Sequence, residues 1–211
     1  RRLLAVGLPI SMQMVLEVSA FALTLIMMGW IGTVPLAAHQ VVLSLSNIVY
    51  MVVVGISAAT TIMVSHRYGA GDYRGMRRAA LASWHLGIVA NLLTMACFVA
   101  FRRFLPELFT SDRAVIGVAA QLFLMAALYQ IPDGLQTIAL GVLRGMQDVR
   151  ITMYYAFVSY IVINLPVGYF CAFILGWGAP GLWVGFIVGL CIAAFLLIRR
   201  YRRLYRRLTL D

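Results

Sequence analysis

The chain alternates long apolar stretches with short polar connections. The apolar stretches fall near residues 3–31, 36–65, 79–101, 114–142, 151–175 and 182–198. A helix that crosses a bilayer needs about 20 mostly apolar residues, so all six stretches are long enough to span a membrane. The pattern predicts an all-α membrane protein with a six-helix lobe at residues 1–198 and a basic tail at residues 199–211.

The composition agrees with this pattern. Of the 211 residues, 63% are hydrophobic and 11% are charged, whereas a soluble domain has about 45–50% apolar and about 25% charged residues. The difference excludes a soluble globular enzyme, a disordered chain and a disulfide scaffold.

All 17 basic residues are arginines, and their distribution predicts the orientation. If successive spans cross the membrane in opposite directions, 14 arginines lie on the same side as both termini. Only Arg102, Arg103 and Arg113 lie on the other side. Because short cytoplasmic loops are rich in arginine, both termini of this chain are expected in the cytoplasm. The arginines after the last span are typical of an orientation signal or of contact with anionic membrane lipids, and we expect no nucleic-acid partner.

Two of the seven acidic residues, Glu17 and Asp133, lie inside predicted spans. A carboxylate at this depth costs at least about 2.5 kcal/mol. The six stretches contain no arginine, and Arg144, eleven residues after Asp133, is expected at the cytoplasmic surface. Without a basic partner, the two acids should either hold a proton or bind a cation.

Polar residues recur at helical spacing around these acids and on the second span. The three stripes are Gln13 and Glu17; Gln40, Ser44 and Asn47; and Tyr129, Asp133 and Gln136. Residues three or four positions apart share a helix face, so the stripes indicate a polar cavity, although each could instead supply hydrogen bonds between helices. Pro132 predicts a bend beside Asp133 that frees backbone carbonyls.

Glycines recur at four-residue spacing in two of the predicted spans. They are Gly141 and Gly145 at the end of the fourth, and Gly181, Gly185 and Gly189 in the last. Small residues at this spacing allow two helices to approach closely, which is consistent with packing inside the lobe or with a dimer face. A half-size homodimer is therefore one possible assembly.

Several short sequence motifs are distributed along essentially the whole chain. They are Leu16-Glu17-Val18, Leu36-Ala37-Ala38-His39-Gln40-Val41, Tyr68-Gly69-Ala70-Gly71-Asp72, Tyr129-Gln130-Ile131-Pro132-Asp133-Gly134-Leu135-Gln136 and Leu143-Arg144-Gly145. Together with the two acids, they resemble the carboxy-terminal lobe of the NorM-type branch of the multidrug and toxic compound extrusion (MATE) family.

The resemblance implies one lobe of a twelve-helix MATE-type transporter in the bacterial inner membrane. Such proteins are not enzymes; they export cationic, often aromatic compounds in exchange for sodium ions or protons, and need no other cofactor. The expected partners are small cationic drug-like substrates, membrane lipids and an amino-terminal six-helix lobe, which would belong to the same full-length chain.

The resemblance also implies roles for individual residues. Glu17 and Asp133 would be the cation-coupling carboxylates, which hold the ion if it is sodium, with Tyr129 beside them. Tyr50 and Asp112 match substrate-cavity positions in some members. The polar stripes add four further candidates for the substrate cavity, Gln13, Gln40, Asn47 and Gln136.

Two other functions remain open at this point. A flippase for lipid-linked oligosaccharides belongs to the same superfamily, but it tends to have basic residues in its central cavity, where this sequence predicts only acids. An intramembrane aspartyl protease would use Asp72, because Gly69-Ala70-Gly71-Asp72 has the Gly-x-Gly-Asp form.

Overall fold

The computed structural model describes residues 2–210, with side chains for residues 6–209. The helices are α1 (Arg2–Ile31), α2 (Thr33–Gly69), α3 (Tyr73–Phe101), α4 (Phe104–Glu107), α5 (Arg113–Gly145), α6 (Val149–Ala156), α7 (Leu165–Tyr169) and α8 (Ala179–Leu210). Within the described residues, six helical stretches are long and apolar enough to cross a membrane. This confirms the predicted all-α membrane fold.

Two helices continue beyond the apolar stretches that predicted them. α2 runs through His66 and Arg67 to Gly69, and α8 runs through the arginine-rich segment to Leu210. Arginine is a good helix former, so the end of an apolar stretch is not by itself a reason for a helix to stop. α2 ends just before Gly71, whose φ of 71° lies in the left-handed region that favours glycine.

α5 occupies the centre of the lobe, where it packs against α2, α3 and α8. Its contact with α2 depends on Gly141, because an added Cβ there would lie 2.6 Å from the Ser57 carbonyl oxygen. The Ser57 hydroxyl donates to the Thr137 carbonyl over 2.7 Å, and the Thr61 hydroxyl donates to the Gly141 carbonyl over 3.0 Å. The α2–α5 contact therefore combines a close backbone approach with hydrogen bonds between the helices.

The glycines of α8 make a second close contact, with the fifth membrane crossing, Val149–Ile174. A Cβ at Gly185 would lie 2.5 Å from the Asn164 carbonyl oxygen, and one at Gly189 would lie 2.8 Å from the Ser159 carbonyl oxygen. Both glycine series therefore face helices of the same lobe. Of the two interpretations of the glycine spacing, the structure supports packing inside the lobe.

The fifth crossing is the least regular helix. It joins α6 and α7 through a π-helical segment, Phe157–Asn164, and α7 continues into a second one, Phe170–Ile174. Pro166 lies near the start of α7, between these segments. In contrast, the helical hydrogen-bonding pattern of α5 extends on both sides of Pro132. Wider helical turns thus occur beside Pro166, whereas α5 has none beside Pro132.

Candidate cation and substrate site

Glu17 lies partly buried on α1, where it faces Tyr50 of α2. The Tyr50 hydroxyl donates a hydrogen bond to Glu17 Oε1 over 3.4 Å. Both residues border a cavity of about 360 Å³, the Tyr129 cavity, whose wall comprises Met14, Glu17, Val18, Phe21, Leu43, Ser46, Asn47, Tyr50 and Tyr129. Glu17 is the one charged residue among them, so the cavity presents a carboxylate within a largely apolar and aromatic wall.

α5 supplies the other two predicted residues, Tyr129 and Asp133, one helical turn apart. The Tyr129 ring packs edge-on against Trp183 and Phe186 of α8, with centroid distances of 5.6 and 6.2 Å. Asp133 is 6% exposed and belongs to neither cavity wall, but it lies on α5 between Tyr129 and Thr137, each of which borders a cavity together with Glu17. The fold therefore brings the two intramembrane acids into one region, with Tyr129 held beside them by its aromatic neighbours.

A second, smaller cavity of about 130 Å³ also has Glu17 and Tyr50 in its wall. We call it the Arg144 cavity; its wall comprises Met14, Glu17, Tyr50, Val54, Ser57, Ala58, Thr61, Thr137, Leu140 and Arg144. Met14, Glu17 and Tyr50 border both cavities, so the two cavities adjoin each other at these three residues.

Arg144 lies in the last turn of α5, and its side chain extends into the lobe. Its side chain is partly buried, lines the same cavity as Glu17, and donates from Nη2 to Gln13 Oε1 over 3.3 Å. Side chains of a helix tilt toward its N-terminus, so a residue in the last turn of α5 extends back into the lobe. The wall of the Arg144 cavity therefore contains a basic residue as well as an acid, whereas the sequence predicted only acids in the central cavity.

The other polar residues predicted to line the substrate cavity do not all lie in its wall. Gln13 is fully buried beneath Glu17 on α1, where it accepts the hydrogen bond from Arg144. Asn47 lines the Tyr129 cavity. Gln40 is exposed on α2, and it does not belong to the wall of either cavity.

Gln136 and Asp112 lie apart from both cavity walls. Gln136 is buried inside the lobe, where its Nε2 donates to the Tyr160 hydroxyl over 2.7 Å. Asp112 is exposed before α5 and caps that helix by accepting a hydrogen bond from the Ala114 amide over 2.8 Å. Both residues therefore have local structural partners.

The buried positions of Arg144 and Tyr160 were not predicted from the sequence. Arg144 follows Asp133 by eleven residues, which is close to three helical turns, so both lie on the same face of α5. This spacing could have indicated that the Arg144 side chain lies on the same side of α5 as Asp133. Tyr160 gave no comparable signal, because its burial against Gln136 depends on how the fifth crossing packs.

Asp72 has a structural role in the turn before α3. Its carboxylate accepts a hydrogen bond from the Gly75 amide over 2.8 Å and pairs with Arg67 Nη1 over 2.8 Å. The amide and the guanidinium hold the pKa of Asp72 below its usual range. A catalytic aspartate pair must share a proton, so this ionised, capped residue gives no support to a protease.

Within the described residues, no group of three or more His, Cys, Asp or Glu side chains could hold a metal ion. The region offers the carboxylates of Glu17 and Asp133 and the hydroxyl of Tyr129. Oxygen ligands of this kind suit hard cations, and carboxylates also accept protons. The donor set therefore fits a transported cation and does not distinguish sodium from a proton.

Comparisons with solved structures show which kind of protein has this fold. The crystal structure of the eukaryotic MATE transporter AtDTX14 matches with a TM-score of 0.87 at 24% identity, over 98% of this chain and 48% of that one. An outward-facing multidrug resistance MATE family transporter of the MOP superfamily matches with a TM-score of 0.90 at 17% identity, over 99% and 47%. The fold is that of one lobe of a membrane transporter.

The sequence comparisons identify the family. The sequence model of the MatE family matches residues 9–170. The "Probable multidrug resistance protein NorM" of Xanthomonas campestris pv. campestris is 38% identical over 207 residues, which cover 98% of this chain and 45% of the relative. "Multidrug resistance protein MdtK" of Pectobacterium atrosepticum is 39% identical over 215 residues, covering 98% and 46%.

The chain belongs to the MatE family of multidrug and toxic compound extrusion proteins. It is a polytopic membrane protein, and it spans about half the length of the curated relatives that it matches.

Proposed function

We propose that this chain is the carboxy-terminal half of a cation-coupled multidrug efflux antiporter. The observation that carries the proposal is the position of Glu17: it is bonded to Tyr50, lies near the buried Asp133, and is the one charged residue in the wall of the Tyr129 cavity. An acid at membrane depth is a functional site by default, because its desolvation must be compensated.

Glu17 and Asp133 are the coupling carboxylates in this proposal. The ion is a sodium ion or a proton, and the hydroxyl of Tyr129 lies beside the pair. Binding of the ion neutralises part of the negative charge, which changes the relative free energies of the outward-open and inward-open states. Each positive charge that moves inward contributes about 2.3 kcal/mol per 100 mV of membrane potential.

The Tyr129 cavity favours small cationic and aromatic substrates. Tyr50, Phe21 and Tyr129 give its wall an aromatic character, and Glu17 gives it a negative charge. An organic cation gains from both, through its attraction to aromatic faces and to the carboxylate. A pyrophosphate-bearing lipid would instead be repelled by Glu17, so the wall favours drug efflux over lipid flipping.

Transport requires the other half of the cleft, which we assign to an amino-terminal six-helix lobe of the full-length protein. We place residues 1–198 in the bacterial inner membrane as the second lobe and residues 199–211 in the cytoplasm. Alternating access then moves the two lobes around a central substrate site.

The test uses Glu17→Gln and Asp133→Asn in the full-length transporter, reconstituted in sealed vesicles. Efflux of a fluorescent organic cation is driven by a sodium gradient at constant pH, and separately by a proton gradient without sodium. Both variants should lose at least about tenfold of the ion-driven rate, because each neutral amide removes a charge from the ion site. The matched control, Glu107→Gln, changes an exposed residue at the end of α4 and should behave as wild type. Wild-type coupling in both site variants would contradict the proposal.

A further inference from the structure

Arg144 is a basic residue inside a lobe whose proposed ligand is a cation. Its side chain is partly buried, its Nη2 donates to Gln13, and its Nε is buried without a hydrogen-bond partner among the described residues. A guanidinium that leaves a donor unpaired is held there at a cost in free energy. Such a cost calls for a reason other than packing.

The reason lies in what shares its cavity. Glu17 and Arg144 are the two charged residues in the wall of the Arg144 cavity. The guanidinium and the Glu17 carboxylate share this wall, and Gln13, one helical turn before Glu17 on α1, accepts the hydrogen bond from Arg144. Opposite charges that border one small cavity attract each other where little water screens them.

The two cavities that share Glu17 therefore differ in charge. The Tyr129 cavity has Glu17 as its one charged wall residue, whereas the Arg144 cavity adds a positive charge. A cation in the first cavity is attracted to Glu17, whereas in the second cavity the positive charge of Arg144 offsets that attraction. When no cation is bound, Arg144 stabilises the ionised carboxylate.

We propose that Arg144 is a positioning residue that lowers the cation affinity of Glu17 and directs the coupling ion to Glu17 through the Tyr129 cavity. This inference rests on the proposed function, since it takes Glu17 as a coupling carboxylate. In this role Arg144 substitutes for the ion during the part of the cycle in which Glu17 is empty, and it allows the ion to leave.

The main alternative is that Arg144 only ties α5 to α1 through Gln13. Charge and hydrogen bonding can be separated by two substitutions. Arg144→Gln removes the charge but keeps a donor, whereas Arg144→Lys keeps the charge and changes the geometry. Arg150→Gln is the matched control, because Arg150 is exposed at the start of α6, at the same end of the lobe.

The measured quantity is the half-saturating concentration of the driving ion for dye efflux by the full-length transporter. Sodium at constant pH and protons without sodium are both used. We expect Arg144→Gln to lower this concentration by about tenfold, Arg144→Lys to leave it within about threefold of wild type, and Arg150→Gln to leave it unchanged.

Arg144→Met is a second variant in case Arg144→Gln folds poorly. It removes the charge and keeps a long, unbranched side chain, so it should also lower the half-saturating concentration. The inference is overturned if neither variant shifts that concentration, or if Arg144→Lys shifts it as far as Arg144→Gln. If Glu17→Gln and Asp133→Asn keep wild-type coupling, the proposed function fails; if they lose coupling and Arg144→Gln matches Arg150→Gln, only the role of Arg144 fails.

Discussion

Two aspartates of this chain form ion pairs with arginines in different surroundings. Asp148 accepts two hydrogen bonds from Arg200 of α8, at 2.7 Å from Nε and 3.3 Å from Nη2, and the two side chains are 18% and 23% exposed. Asp72 pairs with Arg67 over 2.8 Å, but both side chains are about half exposed, at 48% and 47%. Exposed pairs contribute little to stability, whereas shielded, two-point pairs contribute more.

We therefore expect Asp148→Asn to lower the free energy of unfolding by about 1–2 kcal/mol and the Tm by a few degrees. Asp72→Asn serves as the control and should change the Tm little, because asparagine also caps a helix well. The measurement is thermal unfolding of the detergent-solubilised full-length protein, followed by the loss of its monodisperse peak. Equal Tm shifts in the two variants would contradict the difference in shielding.

At the scale of one helix, α5 is the element on which the lobe depends. The same helix provides Tyr129 and Asp133 to the candidate site and Gly141 to the contact with α2. The sequence pattern identified each of these positions. It did not identify the partner of each one, because the faces of α5 that meet α2 and α8 are set by helix packing rather than by the local sequence.

Gly141→Ala tests the close contact between α5 and α2. The added methyl group would lie 2.6 Å from the Ser57 carbonyl oxygen, so the helices must separate and the Thr61–Gly141 hydrogen bond must lengthen. We expect a loss of about 1–3 kcal/mol of stability, measured as a lower Tm and a lower yield of folded protein.

Gly117→Ala is the control for this prediction within the same helix. A Cβ at Gly117 meets nothing within 4 Å, so alanine should be neutral or stabilise α5 by about 0.5–1 kcal/mol. If both alanine variants unfold at the wild-type temperature, the contact at Gly141 is not as tight as the structure indicates.

At the scale of the whole molecule, the arginine distribution predicts how the lobe lies in the membrane. Single cysteines at Ser111 and Thr209 test it, because both side chains are exposed and they lie at opposite ends of the lobe by helix count. The background is a full-length protein without other cysteines, in which Cys97, Cys171 and Cys191 are replaced.

A membrane-impermeant maleimide should label Ser111→Cys in intact cells and Thr209→Cys only after the membrane is disrupted. This outcome would place the arginine-rich end of α8 in the cytoplasm. Labelling of Thr209→Cys alone in intact cells would reverse the proposed orientation.

The sequence by itself determined the class, the number of spans and the two acids. These features are local: a bilayer requires a minimum length of apolar helix, and a carboxylate inside such a helix stands out without knowledge of its neighbours. The resemblance added the family, and the sequence model and the relatives confirmed it.

Only the tertiary structure decided how the polar residues are paired. The Arg144 side chain extends into the lobe beside Gln13 and Glu17, and Gln136 is buried against Tyr160 and does not line the cavity. These outcomes depend on where helices that are distant in sequence cross and on the direction in which their side chains tilt. The chain's hydrophobic pattern fixes which residues enter the membrane, whereas helix packing decides which charges meet there.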